Sequence, residues 1–289
     1  MPAAVSDRSR WRAVRAYVAL THLTPILAVM LATLACALVA AAGMPPLGRL
    51  GALLGAMLGG QVAVGAINEA VDAATDARVK PTKPIPAGDA SVRGALILAA
   101  AGLLMMLVCG AWLGAAPLAL VTLGNGLGIA YSLWFKRTPL SWLPYLLALP
   151  LLPIWVLTVF DRFEPALLML YPLGACATLA VHVAQSVPDV AADRAAGVRN
   201  LSAALGEKRS LVLCWAAILL SAGLAVVAAP AMLPVTWPVR VGALASLVLV
   251  VADALLYRLR PRLGLMAAFP VVAGSAAILG VAWVLAITR

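Results

Sequence analysis

The sequence predicts an all-α polytopic membrane protein, a single transmembrane domain over residues 1–289 with nine membrane-spanning helices. Three observations carry that prediction: an excess of apolar residues, the length of the apolar runs, and the one-sided distribution of basic residues. The chain is 64% hydrophobic and 11% charged, with a mean hydropathy of +1.03. A soluble domain carries about 45–50% apolar and about 25% charged residues. A folded chain of this length needs a polar skin that this composition does not supply, which excludes a water-soluble globule, a disordered chain and a fibrous repeat.

Apolar runs between punctuation fall at Tyr17–Ala41, Leu50–Ala66, Ala95–Leu113, Pro117–Trp134, Trp142–Phe160, Ala166–Ala184, Leu211–Ala229, Val239–Tyr257 and Leu263–Ile287. A transmembrane helix needs about 20 apolar residues. Runs of this length without apolar/polar alternation read as helices rather than barrel strands. The arginines before the first run imitate a secretion signal, but the run is too long for one and eight more follow, so it reads as a retained helix.

Of the 21 Lys and Arg residues, 17 fall on one side of the nine spans. These lie before span 1 and in the loops 2–3, 4–5, 6–7 and 8–9; Arg49, Arg162, Arg240 and Arg289 fall on the other side. The positive-inside rule makes the richer side cytoplasmic. The expectation is a multi-pass protein of the plasma membrane with a cytoplasmic N-terminus and an external C-terminus. The net charge of +10 is then a matter of orientation, and no nucleic-acid partner is expected. Cys36, Cys109, Cys176 and Cys214 all lie in apolar runs with no C-x-x-C spacing, which supports neither a disulfide framework nor a zinc site.

Four of the eleven acidic residues occupy two matching places. Span 2 ends in Asn68, Asp72 and Asp76; span 6 ends in Gln185, Asp189 and Asp193, the two sets starting 117 residues apart. Residues four apart share a helix face, so each set forms a stripe of oxygen ligands. Carboxylates near hydrocarbon are costly and repel one another, so they call for a compensating cation. Hard oxygen donors suit Mg²⁺ with its waters and substrate phosphates. The repeated spacing also places a site between two halves.

Basic residues follow both stripes: Arg78, Lys80 and Lys83 after the first, Arg194 and Arg199 after the second. Converging cations are what a diphosphate leaving group requires. Structural ion pairs at a membrane interface are the plainer reading of such helix ends, and the duplication argues against it. The stretch 80–88 holds three prolines and reads as a shaped loop over the site, after which Asp89 or Ser91 caps span 3. Pro188 removes a helix hydrogen bond just before Asp189 and predicts a kink.

These residues resemble the UbiA superfamily of intramembrane prenyltransferases. The first stripe matches N-x-x-x-D-x-x-x-D and Lys83–Gly88 resembles the proline–glycine tail that follows it. The second matches D-x-x-x-D, with Asp193–Arg199 and Leu205-Gly206 like D-R-x-x-G-x-[KR]…L-G. Tyr131 through Lys136 resembles the Y-x-x-x-x-K segment. Glu69 stands where the family often has Asp, and Asn200 where Thr is common.

The resemblance implies a bundle around a central cavity, capped on the cytoplasmic side by the 2–3 and 6–7 loops. It implies two Mg²⁺ ions held by Asn68, Asp72, Asp76, Asp189 and Asp193, which would also be the catalytic set. Arg78, Lys80, Lys83, Tyr131, Lys136, Arg194 and Arg199 would contact the diphosphate of an allylic prenyl donor. The prenyl group would pass to an aromatic or other lipophilic acceptor, with the bilayer as a lateral route. A terpene cyclase using the same ionisation without an acceptor is the alternative. His182 and Gln185 share the motif face of span 6, as acceptor contacts or, for His182, as helix packing. Asp253, within span 8, reads equally as an ion-pair partner or a cavity-facing group.

Overall fold

Proline placement and apolar run length set the helix boundaries. The computed structural model describes residues 3–138, 140–195, 197–198 and 200–288, with side chains from Trp11 onward, and every regular element among them is helical. The order is α1 (Ala3–Ala19), α2 (Leu23–Ala40), α3 (Leu47–Val79), α4 (Val92–Leu113) and α5 (Ala115–Ala130) with a π turn at Tyr131–Phe135. It continues with α6 (Leu143–Val159), a 3₁₀ turn at Pro165–Met169 leading into α7 (Leu170–Ser186), and a second 3₁₀ turn at Val187–Asp189. Then come α8 (Val190–Ala195), α9 (Leu201–Leu205), α10 (Glu207–Met232), α11 (Trp237–Leu259) and α12 (Pro261–Thr288).

Eight of these segments are long and apolar enough to cross a membrane, and the fifth expected span is the shorter α6 of 17 residues. At the helical rise α6 measures about 26 Å, the lower end of what spans a bilayer core of about 30 Å.

The first expected span departs from the reading of Tyr17–Ala41 as one run. The chain turns at residues 20–22, with His22 in the left-handed region at φ 55°, so α1 is a separate helix. The cause is Pro25, which lacks the N–H that would bond Thr21 and whose ring crowds that carbonyl. In contrast, α3 runs unbroken for 33 residues, about 50 Å at the helical rise, and so carries Asn68, Asp72 and Asp76 on the same rod as span 2. Pro188 breaks α7 as expected, into the 3₁₀ turn that bears Asp189. Of the two candidate caps for α4, Ser91 acts: its Oγ accepts from the Gly94 amide at 3.0 Å. Asp89 instead pairs with Arg12 of α1 at 2.8 Å.

Helices α3 and α4 pack backbone against backbone. A Cβ on Gly59 would sit 2.5 Å from the Gly102 carbonyl, and one on Gly102 2.6 Å from the Gly59 carbonyl. Small residues permit such approach between membrane helices. Helices α2, α3, α5, α6, α7, α10 and α12 surround a central chamber of about 760 Å³, while α4 and α11 pack on the outside. Two buried clusters hold these helices together, one joining α2, α3 and α6 around Leu53, Trp155 and Val156, the other joining α7, α10 and α12 around Val183, Ile218 and Val272.

Candidate active site

The chamber is apolar along most of its depth and polar at one end, where the last three turns of α3 meet the turns after α7. There Asp72 and Asp76 are buried on α3, Asp189 is half-exposed, and all three line the chamber with Asn68 and Asp193. The segment after the first stripe is tied to the second stripe. Lys80, on the loop after α3, donates to Asp189 Oδ1 at 2.6 Å.

Each remaining carboxylate of the first stripe also has its cation. Lys136 Nζ donates to Asn68 Oδ1 at 3.1 Å and to Asp72 Oδ2. It reaches them because the π turn at Tyr131–Phe135 widens the end of α5, with the Lys136 amide bonding the Tyr131 carbonyl at 2.8 Å. Arg137 donates to Thr75 at 2.8 Å and lies 3.6 Å from Asp72. Lys83 donates to Asp76 at 2.8 Å and to Glu69 at 2.6 Å. Burial works against the Lys83 charge, but its hydrogen bonds to Asp76 and Glu69 outweigh that and raise its pKa above the ordinary lysine value. On the second stripe Asp193 Oδ2 accepts from Asn200 Nδ2 at 2.6 Å, while Asn200 Oδ1 caps α9 through the Ala203 amide at 2.7 Å.

Below the charged mouth lies an aromatic corner. Tyr131 meets Tyr145 edge-on at 5.2 Å between centroids, and His182 lies 4.9 Å from Tyr145 and 6.0 Å from Tyr131. His182 Nε2 sits 3.0 Å from Ser141 Oγ, its Nδ1 is buried with no partner among the described residues, and the Tyr145 hydroxyl donates to Gln185 Oε1.

Among the described residues, no three His, Cys, Asp or Glu side chains gather closely enough to hold an ion by themselves. The donors are instead spread along two stripes, all oxygen, each accepting a hydrogen bond from an ammonium or an amide. This chemistry favours a hard cation shared with a ligand over a closed protein cage.

The profile of the UbiA prenyltransferase family matches residues 29–269. The chain belongs to this family. A digeranylgeranylglyceryl phosphate synthase of Natronomonas pharaonis is 34% identical over 149 residues, which make up 50% of this chain and 53% of the relative. The chain thus matches about half the length of the curated relatives it resembles. Solved structures share the whole fold. A UbiA homolog from Aeropyrum pernix K1 superposes with a TM-score of 0.68 at 21% identity, covering 89% of this chain and 95% of that one. A UbiA homolog from Archaeoglobus fulgidus, bound to GPP and Mg²⁺, gives 0.68 at 17% identity, covering 93% and 99%.

Within this UbiA fold the expected site residues separate into two groups. Asn68, Asp72, Asp76, Asp189, Asp193, Lys80, Lys83, Lys136, Tyr131, His182 and Gln185 all line one chamber. Arg78 is exposed and off the chamber wall. Arg194 is likewise off the wall and donates through Nε to the Ala203 carbonyl at 2.7 Å, bracing the turn before Gly206. Arg199 lies outside the described residues. Asp253 faces neither the chamber nor an arginine: its Oδ2 accepts from Trp215 Nε1 at 2.8 Å, and no ion pair to it occurs among the described residues.

Three groups at this mouth were given no site role by the sequence reading. Arg137 gave no signal beyond its neighbour Lys136. Buried Glu69 pairs with the partly exposed His22, Nε2 to Oε1 3.0 Å. Pro25 marks the corner that brings His22 there, but no spacing rule links residues 22 and 69.

Proposed function

We propose that this chain is a Mg²⁺-dependent intramembrane prenyltransferase that ionises an allylic prenyl diphosphate and transfers the prenyl group to a lipophilic acceptor. One observation supports this above all. Two oxygen stripes, from α3 and the turns after α7, line the mouth of one apolar chamber, with Lys136 and Lys83 paired to the first and Lys80 to the second.

The donor chemistry fits a magnesium ion, since every candidate ligand is an oxygen and the spot already accommodates positive charge. Asn68, Asp72, Asp76, Asp189 and Asp193 are the residues that would hold the metal, which supplies neutralisation of the diphosphate charge. Lys80, Lys83, Lys136 and Arg137 turn from the carboxylates to phosphate oxygens as these arrive, stabilising the charge that develops when the C1–O bond breaks. Pyrophosphate leaves with the electron pair. The apolar chamber then keeps water from the allylic cation, whose charge the faces of Tyr131 and Tyr145 stabilise. The acceptor forms the new bond to C1 and gives up a proton. His182 and Gln185 flank that position.

The name of the matched relatives favours an acceptor bearing a glyceryl phosphate over an aromatic one. The basic-residue asymmetry supports a site opening on the cytoplasmic face of the plasma membrane. The test uses the full chain in lipid nanodiscs with Mg²⁺ and allylic diphosphates from five to twenty carbons. Each is supplied with geranylgeranylglyceryl phosphate, with hydroxybenzoate, or with no acceptor. Prenylated glyceryl phosphate alongside released pyrophosphate is the expected result. Cyclic hydrocarbons or alcohols from the acceptor-free arm would replace the transferase by a terpene cyclase.

A further inference from the structure

Among the described residues, Lys80 at the mouth pairs only with Asp189, while Lys136 and Arg137 pair only with members of the first stripe and its neighbour Thr75. Lys83 differs. It shares its ammonium between a stripe carboxylate, Asp76, and a carboxylate outside both stripes, Glu69. Glu69 lies two turns before Asp76 on the same face of α3, so one lysine descending from the 80–90 loop reaches both. With 3% of its side chain exposed, Glu69 is a buried carboxylate that persists only because it is paired. Its second partner is His22 Nε2 at the left-handed corner between α1 and α2. Two segments besides α3 therefore converge on one carboxylate.

We infer that Glu69 is a positioning residue for Lys83, keeping that ammonium aimed at the diphosphate after Asp76 has turned to its cation. The inference rests on the prenyl diphosphate reading of the site. When a metal and a diphosphate engage the stripes, Lys80 and Lys136 lose their protein partners and are held by phosphate alone. Lys83 retains one. A lysine stem is otherwise flexible, so a retained charge-assisted hydrogen bond fixes where its remaining donors point. Glutamate suits the task because its longer arm reaches His22 and Lys83 together.

The experiment is a double-mutant cycle on Glu69→Gln and Lys83→Ala, using the full chain in nanodiscs. Its first readout is calorimetric binding of inorganic pyrophosphate in the presence of MgCl₂, and its second is the split between KM and kcat for the prenyl donor. Glu69→Gln is expected to weaken pyrophosphate binding about tenfold, because the amide oxygen still accepts from Lys83 but without the charge assistance of the carboxylate. KM for the donor should rise and kcat fall, since Lys83 also meets the charge that develops as the C1–O bond breaks, and the Mg²⁺ concentration for half-maximal activity should not move. The double variant is expected to match Lys83→Ala alone, because Glu69 acts only through Lys83. Wild-type pyrophosphate affinity in Glu69→Gln, multiplying effects in the double variant, or a raised Mg²⁺ requirement would each overturn the inference. Should Glu69→Gln not fold, Glu69→Asp carries the same cycle. A wild type that binds no pyrophosphate overturns the diphosphate reading and this inference together; one that binds it while the two effects multiply overturns only this inference.

Discussion

Lys80 and Asp189 lie 109 residues apart in the chain and 2.6 Å apart in the fold. Their contact ties the loop after α3 to the 3₁₀ turn after α7, so the two acidic stripes face each other at one end of the bundle. With Lys136 on Asp72 and Lys83 on Asp76, the mouth is a lattice of opposite charges around a polar gap. A ligand that brings both phosphate oxygens and a divalent cation exchanges partners with every member of that lattice.

Removing a stripe charge tests this most directly. Asp189→Asn and Asp72→Asn are each expected to lower kcat/KM for prenyl transfer by at least about 10²-fold, the scale of a lost electrostatic contact in the transition state. Both variants should insert and retain a cooperative melt, although Asp72→Asn leaves Lys136 underpaired at a cost of about 1–3 kcal/mol. Radiochemical transfer assays beside thermal melts check both halves, and near-normal turnover in both variants would take the stripes out of the reaction.

Chelation provides an independent measurement. Activity should disappear with EDTA and return with MgCl₂. A ligand that binds only the folded state raises its melting point with concentration, by about 2.7 kcal/mol of stability at a hundred times its dissociation constant. Pyrophosphate with Mg²⁺ is therefore expected to raise the melting temperature, and pyrophosphate alone to raise it less. Equal shifts with and without the metal would argue that the lysines alone hold the anion.

On the proposed reading, the chamber's far end is expected to set donor length. Ala225 lies 18 residues along α10 from Glu207, about 27 Å from the charged end at the helical rise, and lines the chamber. Ala225→Trp fills that end without touching the mouth. It should lower kcat/KM for twenty-carbon diphosphates by at least tenfold relative to ten-carbon ones, since misfits on the scale of a methylene cost about 1–3 kcal/mol. A competition assay with both donors reads the ratio, and an unchanged ratio would place the donor tail elsewhere.

Much of this was legible because membrane helices announce themselves locally. The apolar runs, the four-residue spacing of Asn68, Asp72 and Asp76, and the break at Pro188 are properties of neighbouring residues, and all reappear in the fold. What escaped depended on tertiary approach. The corner at residues 20–22 hides inside an apolar run because its cause is one proline three residues on. The His22–Glu69 pair joins segments with no shared periodicity. Arg78 and Arg194 follow their stripes in sequence, yet Arg78 is exposed and Arg194 spends its Nε on a backbone carbonyl; proximity along the chain does not say which way a helix face turns. Asp253 finds Trp215 on a neighbouring helix, which no spacing within span 8 predicts.

The α3–α4 seam holds the first stripe in place from outside the chamber. Gly59 and Gly102 touch through their backbones, and a Cβ on Gly59 would also come within 2.7 Å of the Met106 nitrogen. These are backbone atoms that no rotamer change can move aside, so Gly59→Ala must push the helices apart. Overpacking of this kind costs about 1–3 kcal/mol. Gly59→Leu should cost more and lower transfer activity as well, because a tilt of α3 displaces Asn68, Asp72 and Asp76 from Asp189. Gly51, where an added Cβ would meet open space, is the control: Gly51→Ala should leave the melt unchanged or slightly raised, as alanine is the better helix former. Thermal melts of the three variants in the same detergent decide it, and equal melting temperatures for Gly51→Ala and Gly59→Leu would mean that the seam does not constrain α3.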